Sequence, residues 1–221
     1  MVNDVIGVAG DVVLDEDRAI ALIHASPSVR PALSALWQLD ARLRSIVLTV
    51  HEPMITRIKL AWWREALERL DTAPPPAEPL LTALAGLVLP RGVSGAELGR
   101  LEEAWSLAAG GAVDEADLPA FARGRASLFA MSARLLGRDE ERFSEGEAWA
   151  LADLARATGS TAPLAAAAAL PTAQRRWPRL LRPLGMIHAA ALRDVASQST
   201  QEPQGAPGRV WRMLRVRLTG R

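Results

Sequence analysis

The chain of 221 residues contains no cysteine and no tyrosine, a single lysine and three histidines. Without cysteine there is no disulfide, no thiolate metal ligand and no thiol nucleophile, a pattern that fits a reducing compartment. The missing tyrosine and the scarcity of alternating β-branched runs leave almost no strand signal. No apolar run reaches the ~18 residues a membrane-spanning helix needs. The richest, "APLAAAAALP", is short and interrupted by prolines. The N-terminus, "MVNDVIGVAGDVVLDEDR", lacks a basic start followed by an apolar stretch, so no secretory signal is expected. A net charge of only +1 gives no indication of nucleic-acid binding or an acidic tail. His24, His51 and His188 lie far apart without HExxH spacing, and the serines lack a GxSxG context. No GxxxxGK[ST] phosphate loop occurs, so the "DEAD" at 114–117 reads as a solvated helix start. The expectation is a soluble, cytoplasmic protein.

What the chain does have is helix formers. Alanine, leucine, arginine and glutamate dominate. Prolines punctuate them at plausible breaks, among them Pro27, Pro53, Pro90, Pro119, Pro163, Pro183 and Pro207. Periodicity predicts helices near 15–26, 28–50, 54–71, 77–88, 94–109, 117–136, 144–158, 163–169 and 178–197, and a last basic one near 207–219. "DTAPPPAEP" is a stiff connector, too short to link domains. The reading is all-α, with one helical domain over 1–200. A flexible segment and a basic C-terminal helix follow over 201–221, with "QSTQEPQGAPGR", from Gln198, as the approach to that helix.

The stretch "IKLAWWREALE" places the only lysine, Lys59, beside the pair Trp62 and Trp63. At about 100° per residue, Ile55, Ile58, Trp62 and Ala66 share a face, with Trp63, Leu67 and Leu70 close by. Lys59 projects into that apolar arc. A buried ammonium is costly unless paired or facing a polar cavity. Two readings stand: Lys59 snorkels to water past the tryptophans, or it lines a cavity and meets an anion. The tryptophans read as core packing rather than a ligand platform.

The preceding helix, "RPALSALWQLDARLRSIVLTVHEP", carries a stripe of Leu33, Leu36, Leu43, Val47 and Val50. Asp40 and Arg44 flank it at i,i+4, the favoured orientation for an ion pair within a helix. Asp15 and Asp17 read as caps of the first helix, where carboxylates satisfy free N–H groups. In the last helix, Val210, Trp211, Leu214 and Leu218 fit one face, with Arg209, Arg212, Arg215, Arg217 and Arg221 around them. That helix either docks with its arginines solvated or lies against an anionic membrane surface.

"VRPALSALWQLDARL", "HEPMITRIKLAWWREALERL" and the closing "PGRVWRMLRVRLTGR" together resemble the squalene/phytoene synthase family, and "KLAWWREALE" is similar to the family's "RLxWWRxxLE" block. The resemblance implies an isoprenoid-synthase-like helical bundle around a central cavity, joining two prenyl diphosphates head to head with Mg²⁺ held by two aspartate-rich motifs. Those motifs are where the chain departs from the family. After "ALWQL", the positions expected to be acidic read Arg44, Ser45, Leu48 and Thr49. In "LADLARATGSTAPLAAAAALP", Arg156 matches the motif arginine, but Ala157, Ser160 and Thr161 take the acidic places. Asp11 and Asp15 have D-x-x-x-D spacing but precede the expected position.

The resemblance thus points to a branch without aspartate-rich motifs, which includes a mitochondrial assembly factor for respiratory complex I. It implies a lipid-binding or assembly module with no cofactor. The alternative is a phytoene/squalene synthase-type transferase that needs Mg²⁺, with acids drawn from elsewhere, for example Asp40 or Asp153. The expected ligand site is a cavity near Lys59, Trp62, Trp63, Asp40, Arg44 and Arg156 and the alanine-rich 164–169, able to take a prenyl diphosphate or another apolar lipid. A peripheral membrane contact would run through the basic C-terminal helix, and no nucleic acid is expected.

Overall fold

A computed structural model describes residues 13–50, 52–139, 143–171 and 176–221. Ten α-helices follow in chain order: α1 (Glu16–Ile23), α2 (Arg30–Thr49), α3 (Pro53–Arg69), α4 (Pro79–Ala83), α5 (Gly95–Ser106), α6 (Leu118–Leu135), α7 (Phe143–Thr158), α8 (Ala162–Ala168), α9 (Arg182–Ser197) and α10 (Pro207–Thr219). No strand occurs among the described residues. His51 and Asp11, both singled out in the sequence, lie outside them.

Local chemistry sets the boundaries. Asp15 caps α1 by accepting from the Arg18 N–H at 2.9 Å. Asp17 is not the second cap; it is buried and bound to Arg209 on α10. Ser94 and Glu97 form a reciprocal capping box at α5. The Asp71 carboxylate also accepts from the Gly95 and Ala96 N–H groups, at 2.7 and 3.1 Å. Proline opens α3, where its missing N–H costs nothing. The helix expected near 77–88 is shorter, because α4 passes into a π-helical turn over Leu84–Val88.

The helices stack as successive neighbours, α3 on α5, α5 on α6, α6 on α7, α7 on α9 and α9 on α10. α2 runs against α5 and α6 and buries Leu33, Leu36, Trp37, Leu39 and Leu43. α1 lies against α2 and α9, and α8 against α7 and α9. No helix among the described residues is long and apolar enough to cross a membrane.

Two helices are rotated from the expected orientation. On α3 the buried stripe is Thr56, Leu60, Trp63 and Leu67, while Ile55, Ile58 and Trp62 face outward. Thr56 can sit inside because its hydroxyl donates to the Val50 and Glu52 carbonyls, each at 3.2 Å. That turns Trp62 to 46% exposure and leaves Trp63 at 5%. On α10 the buried residues are Arg209, Met213 and Val216, while Trp211 and Leu218 project outward. Arg209 is drawn in by carboxylates on α1 and α9. The approach to α10, expected to be flexible, is held by side chains. Arg156 donates to the Thr200 and Glu202 carbonyls, both at 2.9 Å, and Asp17 accepts from the Gly205 N–H at 3.2 Å.

Candidate functional site

The most charged part of the interior lies where α1, α2, α6 and α7 meet. Arg125, in the middle of α6, has no exposed surface. Its guanidinium lies between two indole rings, 4.5 Å from the Trp105 centroid and 4.4 Å from that of Trp149. Delocalised charge stacks well on such faces. The edge of the same group forks onto Asp40, with Nη2 2.7 Å from Oδ2 and Nε 3.0 Å from Oδ1. Asp40 accepts two further hydrogen bonds, from Arg18 Nη1 and Trp105 Nε1, both at 2.9 Å.

Asp153 on α7 completes the group. Arg125 Nη2 lies 2.9 Å from Asp153 Oδ2, and Arg18 Nη2 and Arg44 Nε each approach Asp153 to 3.7 Å. Arg44 and Asp153 attract through charge at that separation, without a hydrogen bond between Arg44 Nε and Asp153 Oδ2. Arg18 also binds Asp15. Three carboxylates, Asp15, Asp40 and Asp153, therefore face three guanidiniums, Arg18, Arg44 and Arg125, and the cluster is neutral.

The electrostatics follow from that balance. Burial pushes the Asp40 and Asp153 carboxyls up, but Arg125 together with Arg18, and for Asp153 also Arg44, outweighs it and holds both below the usual carboxylate range. Burial likewise opposes the charge on Arg18, and the facing carboxylates of Asp15, Asp40 and Asp153 outweigh it. Asp40, Asp153 and Arg18 are thus each held in the charged form.

A second cluster ties α10 to the body. Arg209 Nη2 meets Asp17 Oδ2 at 2.6 Å, and its Nη1 meets Asp194 Oδ1 at 2.5 Å. Arg156 forks onto the same Asp194 at 2.8 and 2.9 Å. The space between the two clusters, lined by Arg18, Asp153, Arg156 and Arg209, is about 20 Å³. That is room for about one water.

The sequence-predicted site residues are not brought together. Lys59 and Trp62 face solvent on α3, and Trp63 is packed into the core. Asp40 and Arg44 do lie close to the same acid, but not as a pair within α2: Asp40 binds Arg18 and Arg125, and Arg44 reaches Asp153. Arg156 acts as a latch for the approach to α10. Ala167, from the alanine-rich stretch, lines a separate cavity of about 600 Å³ between α7, α8, α9 and α10. Sequence reasoning missed Arg18, Arg125, Trp105 and Trp149. The available signal was Arg125 sharing the apolar stripe of Phe121 and Phe129, four residues to either side.

A Mg²⁺ ion does not fit the ionic cluster. Such an ion takes carboxylate, phosphate and water oxygens in octahedral geometry. Here the Asp40 oxygens are saturated by N–H donors, and three guanidiniums stand where a dication would have to sit. Among the described residues no three His, Asp or Glu side chains converge into a metal-binding group.

A model of the squalene/phytoene synthase family matches residues 14–174. No curated protein and no solved structure gives a match. The match runs from the cap of α1 past the end of α8 and takes in both Asp40 and Asp153, well over half of the 221 residues; the chain belongs to the squalene/phytoene synthase family.

Proposed function

We propose that this chain is a family member without Mg²⁺-dependent prenyl transfer, acting as a lipid-binding or assembly module. The observation that carries the reading is the saturation of Asp40 by Arg125, Arg18 and Trp105. Ionising a prenyl diphosphate calls for metal ions that bridge its oxygens and neutralise the leaving group. Acids already bound to arginines cannot hold those ions without first breaking buried ion pairs, a change costing about 3–5 kcal/mol. The space of about 20 Å³ beside the cluster also has no room for a diphosphate.

The transferase reading draws on the family pattern over 14–174. It predicts diphosphate release from farnesyl or geranylgeranyl diphosphate when Mg²⁺ is present. The test is that release, followed together with extraction of hydrocarbon products. Turnover no faster than the protein-free background is the expected result. Mg²⁺-dependent turnover that Asp40→Asn removes, in a variant shown by circular dichroism to stay folded, would overturn the proposal.

A further inference from the structure

The cavity between α7, α8, α9 and α10 is unlike the ionic cluster in both wall and rim. Ala148, Ala167, Ala189, Leu192 and Val216 contribute apolar wall from four different helices. Helix axes pack about 8–10 Å apart, and alanines facing one another leave part of that gap unfilled. The resulting volume, about 600 Å³, lies within the ~300–1,000 Å³ of ordinary small-molecule sites.

The far wall is Trp177, and it is fixed in place. A Cβ on Gly185 would come within 2.6 Å of the indole, so glycine on α9 is what lets the ring lie against that helix. The backbone N–H of Trp177 donates to the Gly220 carbonyl at 2.9 Å, and Arg176 Nε donates to the Thr219 carbonyl at 3.0 Å. Gly220 has φ +78°, and its own Cβ would lie 2.7 Å from the Trp177 carbonyl oxygen. The end of α10 is therefore clamped to that wall.

The rim is cationic. Arg212, Arg215 and Arg221 border the cavity, with Glu145 and His188. Arg212 and Arg215 lie on one face of α10, one turn apart, and alone outnumber the single carboxylate side chain. Neither makes an ion pair among the described residues, whereas Arg209 on the same helix is held by two aspartates. An apolar chamber with two uncompensated guanidiniums at its edge has the polarity of a detergent-like molecule turned inside out.

We propose that this cavity binds a single-chain anionic amphiphile, a hydrocarbon tail against Ala148, Ala167, Ala189 and Trp177 with a phosphate or carboxylate head at Arg212 and Arg215. Guanidinium forks suit both head groups. The proposal rests on the lipid-binding arm of the function above, and the two fail separately. Mg²⁺-dependent turnover would overturn that reading and leave the cavity untouched; failure of the cavity to bind would leave an assembly role standing.

The test is calorimetry with dodecyl phosphate below its micelle concentration, without Mg²⁺, alongside dodecanol and inorganic phosphate. One-to-one binding of dodecyl phosphate is expected, at least ten-fold tighter than dodecanol and with no detectable binding of phosphate alone. Arg215→Glu is expected to weaken it ten-fold or more, and Ala167→Phe to abolish it by filling the chamber. Arg215 is exposed, so its variant keeps the fold, and unchanged melting checks both. No binding, binding equal in wild type and both variants, or association only with anionic vesicles would each overturn the proposal. Equal affinity for dodecanol would overturn the role given to Arg212 and Arg215.

Discussion

Arginine does opposite things in two parts of this molecule. At the meeting of α1, α2, α6 and α7, Arg125 sits between two tryptophan rings and forks onto Asp40 at 2.7 and 3.0 Å. On α10, Arg212 and Arg215 border a cavity of about 600 Å³ and form no ion pair among the described residues. The residue type is the same; the difference is whether a carboxylate from another helix forms an ion pair with it. Where it does, the charges neutralise one another and hold helices together. Where it does not, positive potential remains for a ligand. The family's metal-dependent chemistry calls for free carboxylates, and the carboxylates at the centre of this chain are the ones already paired.

Breaking the paired side should have the largest effect. Arg125→Ala leaves Asp40 and Asp153 buried without their principal partner, which costs about 3–5 kcal/mol. Urea unfolding would read this as a large fall in midpoint, because domain stability is only about 5–15 kcal/mol. Replacing both partners, Asp40→Leu with Arg125→Met, should be less harmful than Arg125→Ala alone, since Asp40 is then not stranded and Asp153 keeps Arg18 and Arg44 at 3.7 Å. If the double variant were as unstable as the sum of the singles, the two side chains would not be acting as a pair.

Acid should weaken the same region. Asp40 and Asp153 have folded pKa values depressed by their arginines, despite burial. A depressed carboxyl contributes stability that is fully present above its unfolded value, about 4, and is lost as pH falls toward the folded value. Melting temperature is therefore expected to drop below about pH 4, with a shallower slope in the Asp40→Leu, Arg125→Met variant. An unchanged slope would place the acid sensitivity elsewhere.

The cavity side should respond more mildly. Gly185→Ala drives a methyl group toward the Trp177 ring, where the ideal Cβ lies 2.6 Å away. Overpacking of this kind costs about 1–3 kcal/mol, measurable by thermal unfolding, and it should also perturb dodecyl phosphate binding. The smallest effects belong to solvated residues. Lys59→Ala and Arg215→Ala should each change stability by no more than about 0.5 kcal/mol. A larger loss at Lys59 would mean that it has a partner inside the fold after all.

The elements themselves were legible because helix periodicity, caps and prolines act over a few residues. Asp15 reads as a cap, Pro53 as a helix start, and "KLAWWREALE" as a family block. The orientation of α3 was harder. Thr56 counts as polar in any periodicity analysis, yet it is buried because its hydroxyl is satisfied by local carbonyls, and that exchanges Trp62 for Trp63 at the core. Asp40 stood out as a charge on an apolar stripe, but the nearer candidate partner, Arg44, was not the one chosen. Its strongest partner, Arg125, lies 85 residues away, and Arg18 lies 22 away on the other side. Such pairings follow from how helices stack, which no short spacing encodes. The cavity was invisible for the same reason: Ala148, Ala167 and Ala189 become a chamber only when α7, α8 and α9 are placed side by side.

The most direct measurement is a calorimetric titration of farnesyl diphosphate into the wild-type protein, with and without Mg²⁺. With Asp40 and Asp153 bound to arginine, binding should not require Mg²⁺ once the heat of Mg²⁺ binding to the diphosphate itself, measured without protein, is subtracted, whether or not the lipid binds at the cavity. Binding that requires Mg²⁺ and is lost in a folded Asp40→Asn variant would show a carboxylate free to hold metal, and would contradict the account.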